Sequence, residues 1–179
     1  MPEDHSPVPR IMLVAGEASG DLHGAHLVQA LRRQCPQAEI CGVGGEYLRQ
    51  AGMTLLSSSD ELGVVGVSEV LKKLGVVIRV FRRLSRYLTQ QRPDVLILID
   101  YPEFNLRLAR AARKAGIPVV YYISPQVWAW RSRRVTLIQR LVTKMIVIFP
   151  FEREFYRRHG VDVEWVGHPL AETVTSSLT

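Results

Sequence analysis

Apolar positions along this chain gather into short uninterrupted runs separated by amphipathic stretches, the alternation expected of strands and helices. The first run, residues 11–14 (Ile-Met-Leu-Val), is bounded like a strand buried on both faces. Gly16, Gly20 and Gly24 come next at a spacing of four, and Leu22, Ala25, Leu27, Val28 and Leu31 then supply a stripe at helical spacing. The chain thus opens strand, glycine turn, helix, with Ser19 or Asp21 available to cap the helix start. Residues 38–43 read as a second strand, 46–51 as a short helix closed by Gly52, and 53–56 as a third strand. The polar loop 57–60 is a ready cap for the next helix.

From Glu61 to Leu88 the pattern becomes unusually apolar, with Lys72, Lys73, Arg79, Arg82, Arg83 and Arg86 threaded through it. The spacing predicts two helices separated by Gly75, the second with arginines on one face and Phe81, Leu84 and Leu88 on another. Such a stretch is either a core-packed pair with a solvated basic face or a patch that touches acyl chains while its arginines meet anionic headgroups. Residues 93–100 hold the clearest strand, Val95 to Ile99 without interruption, ending at Asp100. A helix over 106–115, a strand over 118–123, a basic helix over 131–143, a strand over 144–149, a helix over 151–159 and a last strand over 163–166 complete the chain. This beat predicts right-handed βαβ units in one doubly wound parallel sheet, without repeat, low-complexity tract or interdomain linker.

The totals narrow the setting. The 179 residues suffice for one domain with a core, and 47% hydrophobic with 22% charged content is ordinary for a globular protein. A net charge of +6 suits an anionic partner such as a phosphorylated ligand or an acidic membrane surface. Cys35 and Cys41 have no metal-site spacing, residues 1–10 lack a basic-then-apolar signal, and no apolar run reaches the ~18 residues of a membrane span, so a cytoplasmic protein is expected.

Candidate chemistry collects at predicted strand ends, where open α/β sheets bind ligands. The glycine turn is neither a dinucleotide fingerprint nor a P-loop, so its glycines serve either ligand approach or close packing. Glu17 beside the helix start suits a hydroxyl-rich ligand better than an anion. Asp100 is the acid that directly follows a buried run, and it either faces a ligand or caps the next helix, for which Asn105 lies closer. The loop Ser124-Pro-Gln-Val-Trp-Ala-Trp-Arg131 places two tryptophans after a strand, for carbohydrate or lipid contact or for the core beneath. His168, after the last strand, is a ligand contact, a general base or a structural histidine.

Five segments in order carry a resemblance: Val14-Ala-Gly-Glu-Ala-Ser-Gly-Asp21, Ile99-Asp-Tyr-Pro-Glu-Phe-Asn105, Ser124 to Arg131, Phe149-Pro-Phe-Glu152 and Gly167-His-Pro169. Together they resemble the lipid-A-disaccharide synthase family over nearly the whole chain. That resemblance implies a Rossmann-like domain of a two-domain (type B) glycosyltransferase fold. Residues 1–10 would be a tail and 11–179 the N-terminal acceptor-binding domain, with the C-terminal donor-binding domain absent past Thr179.

The implied reaction is inverting: UDP-2,3-diacylglucosamine and 2,3-diacylglucosamine 1-phosphate give the lipid A disaccharide 1-phosphate and UDP, with no cofactor and no metal. Asp100 would be the general base and Glu17 the second catalytic carboxylate. Gly16, Ser19, Gly20, Asn105, Ser124, Gln126, Trp128, Arg131 and His168 would contact substrate. Val64, Val67, Leu71, Leu74, Val77, Phe81 and Arg82 would meet acyl chains and the anionic inner face of the cytoplasmic membrane, where the protein would be peripheral. No nucleic-acid partner is implied. Two alternatives stand beside this reading: a non-catalytic acylated-sugar or membrane-binding module of the same fold, and a sugar-nucleotide enzyme such as an epimerase, which would not need the apolar 64–88 patch.

Overall fold

A computed structural model describes residues 8–62, 70–125 and 133–169, with backbone alone at 70–73 and 133. Seven strands form one sheet in the order β3-β2-β1-β4-β5-β6-β7, every neighbouring pair parallel. They are β1 Arg10–Ala15, β2 Glu39–Gly44, β3 Thr54–Ser58, β4 Val95–Ile99, β5 Val119–Tyr122, β6 Lys144–Val147 and β7 Val163–Trp165. Helices α1 Ala18–Gln34, α2 Glu46–Gln50, α3 Val70–Gln91, α4 Pro102–Lys114, α5 Arg133–Leu141 and α6 Pro150–Arg158 connect them. Strand order reverses between β1 and β4, and that reversal opens a crevice at their carboxyl ends.

Alternation along the strands sorts the core into two layers. Ile11, Leu13 and Ala15 of β1 with Ile97 and Ile99 of β4 face Ala25 and Val28 of α1 and Leu48 of α2. Met12, Val14, Leu96 and Leu98 face the opposite way, onto Leu84 and Leu88 of α3 and Leu108 and Ala112 of α4. These side chains are buried. Truncating a leucine such as Leu84 or Leu98 to alanine there costs about 2–5 kcal/mol.

The structure departs from the pattern-based expectation in several elements. Residues 70–91 form one continuous helix through Gly75 rather than two. Gly75 lies on the exposed side with nothing within 4 Å of where a Cβ would sit, so it breaks no packing. Its propensity cost of about 1 kcal/mol is outweighed by the stripe Val80, Leu84 and Leu88 buried beneath. Helix α4 starts at Pro102, four residues before the expected start, because proline is suited to a first helical turn. Asn105 consequently lies inside the helix and caps nothing. Helix α1 starts at Ala18 with Glu17 as its capping residue, so neither Ser19 nor Asp21 caps it.

Asp21 instead reaches across to α2. Its carboxylate accepts from the backbone N–H groups of Gly45 (2.6 Å), Tyr47 (3.0 Å) and Leu48 (3.2 Å), and it is buried. A Cβ at Gly45 would stand 2.6 Å from that carboxylate, which explains the glycine. A short helix of five residues, too short to persist alone, is thus held by an acid from another helix.

Candidate functional site

Parallel pairing of β1 with β4 matches Ala15 to Ile99, so the residues just past each strand emerge side by side. Gly16 and Glu17 leave β1; Asp100 and Tyr101 leave β4. The proximity registers electrostatically. Glu17 is exposed, and its carboxyl is pushed above the usual carboxylate range by partial burial first and by the Asp100 charge second. Asp100, half-buried, is likewise pushed up by loss of solvent, with the Tyr101 backbone N–H opposing the shift. Two carboxyl groups held above their ordinary pKa at a topological switch point are suited to proton transfer.

The backbone that presents Asp100 is unusual. Asp100 and Tyr101 both adopt left-handed conformations, with φ of 47° and 45°. Each costs about 1–3 kcal/mol for a non-glycine residue and persists only where its surroundings over-determine it. Here they do. The Asn105 amide donates to the carbonyls of Ile99 (3.1 Å) and Asp100 (2.8 Å), and the Tyr121 hydroxyl donates to the Asp100 carbonyl (2.5 Å). Tyr101 donates its hydroxyl to the Leu62 carbonyl (3.2 Å) and stacks on Phe104. Its ring also lies against Gly16, where a Cβ would come within 2.5 Å of it. Tyr121 and Asn105 are fully buried, so this clamp lies behind the crevice.

That burial corrects one expectation. Asn105 has no exposed surface and holds the Asp100 backbone; it does not line a ligand pocket. Ser124 is corrected in the same way. It is buried, donates to Glu152 Oε1 at 3.0 Å and shares a 3.1 Å hydrogen bond with the Tyr156 hydroxyl, tying the loop after β5 to α6. Burial, partly offset by Ser124, pushes Tyr156 up to about 12.

The glycines divide between roles. Gly16 admits the Tyr101 ring, while Gly20 and Gly24 let α1 approach Ile99 of β4. Gly20 is buried, and Ser19 is exposed on the first turn of α1. His168 packs edge-on to His23 at 6.4 Å and beside Phe149 at 5.6 Å. It lines a cleft of about 510 Å³ with His26, Leu27, Tyr122, Ile146 and Gly167. His23 is held below the usual histidine range by burial, then by His168 and His26.

Of the expected membrane contacts, Leu74 and Arg82 are exposed on α3, joined by Ile78 of the same apolar stretch. Val77 and Phe81 are half-buried and also pack on the core, Phe81 edge-on to Phe104 at 5.9 Å. Gln126, Trp128, Arg131, Val64, Val67 and the side chain of Leu71 lie outside the described residues. Among the described residues no helix is long and apolar enough to cross a membrane, and no group of three or more His, Cys, Asp or Glu could hold a metal ion.

Sequence reasoning missed the roles of Tyr101 and Tyr121, and it assigned Asp21 to the start of α1 rather than of α2. The signal for Tyr101 was its place between Asp100 and Pro102, a turn with no glycine to relieve it.

The model of the lipid-A-disaccharide synthetase family matches residues 11–179. The lipid-A-disaccharide synthase of Geobacter sulfurreducens is 55% identical over 169 residues, 94% of this chain and 44% of that protein. The synthase of Geobacter metallireducens is 51% identical over 174 residues, 97% of this chain and 45% of that protein. The chain therefore spans less than half the length of the curated relatives it matches. Solved structures share the fold at low identity. A putative UDP-N-acetylglucosamine 2-epimerase from Listeria monocytogenes aligns with TM-score 0.64 at 12% identity, over 94% of this chain and 51% of that one. MurG from Acinetobacter baumannii aligns with TM-score 0.58 at 15% identity, over 90% and 46%.

Proposed function

Because the chain belongs to the lipid-A-disaccharide synthetase family, we propose that it forms the acceptor-side part of an inverting glycosyltransferase of lipid A biosynthesis. The donor would be UDP-2,3-diacylglucosamine and the acceptor 2,3-diacylglucosamine 1-phosphate, giving the β-1,6-linked disaccharide 1-phosphate and UDP. The observation that carries this reading is the parallel match of Ala15 to Ile99, by which Glu17 and Asp100 leave neighbouring strands at the reversal of strand order.

In an inverting transfer the acceptor 6-hydroxyl attacks the anomeric carbon from the face opposite UDP. Asp100 accepts the hydroxyl proton as the new carbon–oxygen bond forms and the bond to UDP breaks. Its pKa, raised by loss of solvent, brings its basicity nearer the working pH. Glu17 accepts hydrogen bonds from sugar hydroxyls, which orients the attacking group. Ser19 and the N–H groups opening α1 are placed to meet a phosphate or carbonyl oxygen of the substrate. Gln126, Trp128, Arg131 and His168 remain the further candidate contacts, and the length of the relatives that this chain does not span would supply the donor side.

The exposed Leu74 and Ile78, with Arg79, Arg82 and Arg86 on the same helix, favour a peripheral seat on the anionic inner face of the cytoplasmic membrane. Transfer from labelled UDP-2,3-diacylglucosamine, measured with this chain supplemented by the remaining length of a relative, tests the reading. Asp100→Ala is expected to lower kcat by about 10²–10⁴-fold with an unchanged circular dichroism spectrum. Near-normal turnover in that variant removes Asp100 from the chemistry.

A further inference from the structure

Alongside the strand-end crevice, α4 and α5 flank a separate pocket of about 130 Å³, walled by Glu103, Arg107, Arg110 and Arg134 with Leu106 and Leu137 among its apolar lining. Three guanidinium groups against one carboxylate leave the pocket strongly positive. Arg134 donates to Glu103 across the groove, so Glu103 fixes one guanidinium in place. Arg107 and Arg110 have no ion-pair partner among the described residues. Three residues apart on one helix, they project to the same side. Planar guanidinium forks in a concave wall are the side chains best matched to a phosphate.

We propose that this pocket is the subsite for the acceptor's 1-phosphate, an inference that rests on the acceptor assigned above. Position supports it. Helix α4 begins two residues after Asp100, and Arg107 lies five residues beyond its first, roughly 8 Å along the axis. A hexosamine carries its 6-hydroxyl and its C1 substituent at opposite ends of the ring. In the proposed pose the hydroxyl meets Asp100 and the phosphate lies along α4 toward Arg107 and Arg110. The pocket is a concave niche rather than a flat film of charge, and Glu103, paired with Arg134, orders one wall of it. A discrete sugar phosphate fits those features better than a lipid bilayer does.

The test titrates this chain with glucosamine 1-phosphate, glucosamine, inorganic phosphate and phosphatidylglycerol vesicles, in the native sequence and as Arg107→Gln/Arg110→Gln. Both arginines are exposed, so the exchange empties no core, and Arg107→Lys serves as a second variant that retains charge without the fork. The native chain is expected to bind glucosamine 1-phosphate about tenfold or more tighter than glucosamine. The double variant should lose that margin while binding glucosamine unchanged, with Arg107→Lys intermediate. Equal margins in native and variant chains, or no margin in either, overturn the subsite. A loss confined to vesicles also overturns it and assigns the arginines to headgroups. Asp100→Ala should retain the phosphate margin, so failure of the transfer assay with the margin intact sinks the proposed reaction alone.

Discussion

Asp100 occupies a position where its charge is a burden to the fold. Burial keeps its carboxyl above the ordinary 3.8, so the folded chain holds the proton more tightly than the unfolded one. Folding stability therefore falls as pH rises through the interval above 3.8. Asp100→Asn keeps the shape and removes the charge. Thermal unfolding at pH 7 should show a higher midpoint than the native chain, and the gain should shrink as pH falls toward the ordinary carboxylate range. A lower midpoint at pH 7 would mean that the charge is compensated. With Asp100 as the proposed base, the same shift places the acid limb of a pH–rate profile for the transfer above the ordinary carboxylate range, since a base acts only when ionised. In that proposed role, stability and catalysis pull this residue in opposite directions, a trade common at active sites.

At the scale of elements, α2 is the test of how far local sequence can be trusted. Its capping carboxylate comes from Asp21, in another helix, and Asp21→Ala removes an acceptor from three N–H groups. Chemical denaturation should report a loss of about 2–3 kcal/mol, and a loss below about 0.5 kcal/mol would show that water replaces the carboxylate. Strands are legible in the sequence because parallel strands buried on both faces are continuous apolar runs, and those runs mark β1 and β4 to within a residue or two. Asp100 and Glu17 are legible for the same reason, as the polar residues where those runs stop. Roles that depend on partners distant in sequence are not legible. Asn105 looks like a pocket residue until Tyr121 and the turned-back Asp100 carbonyl are in place around it. Ser124 looks available until Glu152 and Tyr156 of α6 claim it. Gly75 looks like a break because propensity is local, whereas the continuity of α3 is decided by the core beneath it.

For the whole molecule, charge is distributed unevenly between the two sides of the sheet. Helices α3, α4 and α5 cover one side and carry Arg79, Arg82, Arg86, Arg107, Arg110 and Arg134. Arg83, also on α3, is occupied by the Leu56 carbonyl (2.7 Å) and Ser57 hydroxyl (3.1 Å), which leaves its neighbours to meet a partner. Replacing Arg79, Arg82 and Arg86 together by glutamine should weaken binding to phosphatidylglycerol vesicles by about 100-fold at low salt. Vesicle sedimentation that is unaffected by the three changes, or insensitive to added salt, would exclude this face as the contact.

The sheet's connectivity also sets an order of events during synthesis. Strand β1 lies between β2 and β4, and Arg10 at its start is tied to Asp94 before β4, 84 positions later, by a 2.7 Å hydrogen bond. While a ribosome is still extending the nascent chain toward β4, one edge of β1 has no mate and Glu17 has no opposing acid. The proposed site is consequently the product of a late, non-local closure, the kind of step that slows folding and invites pairing with other chains.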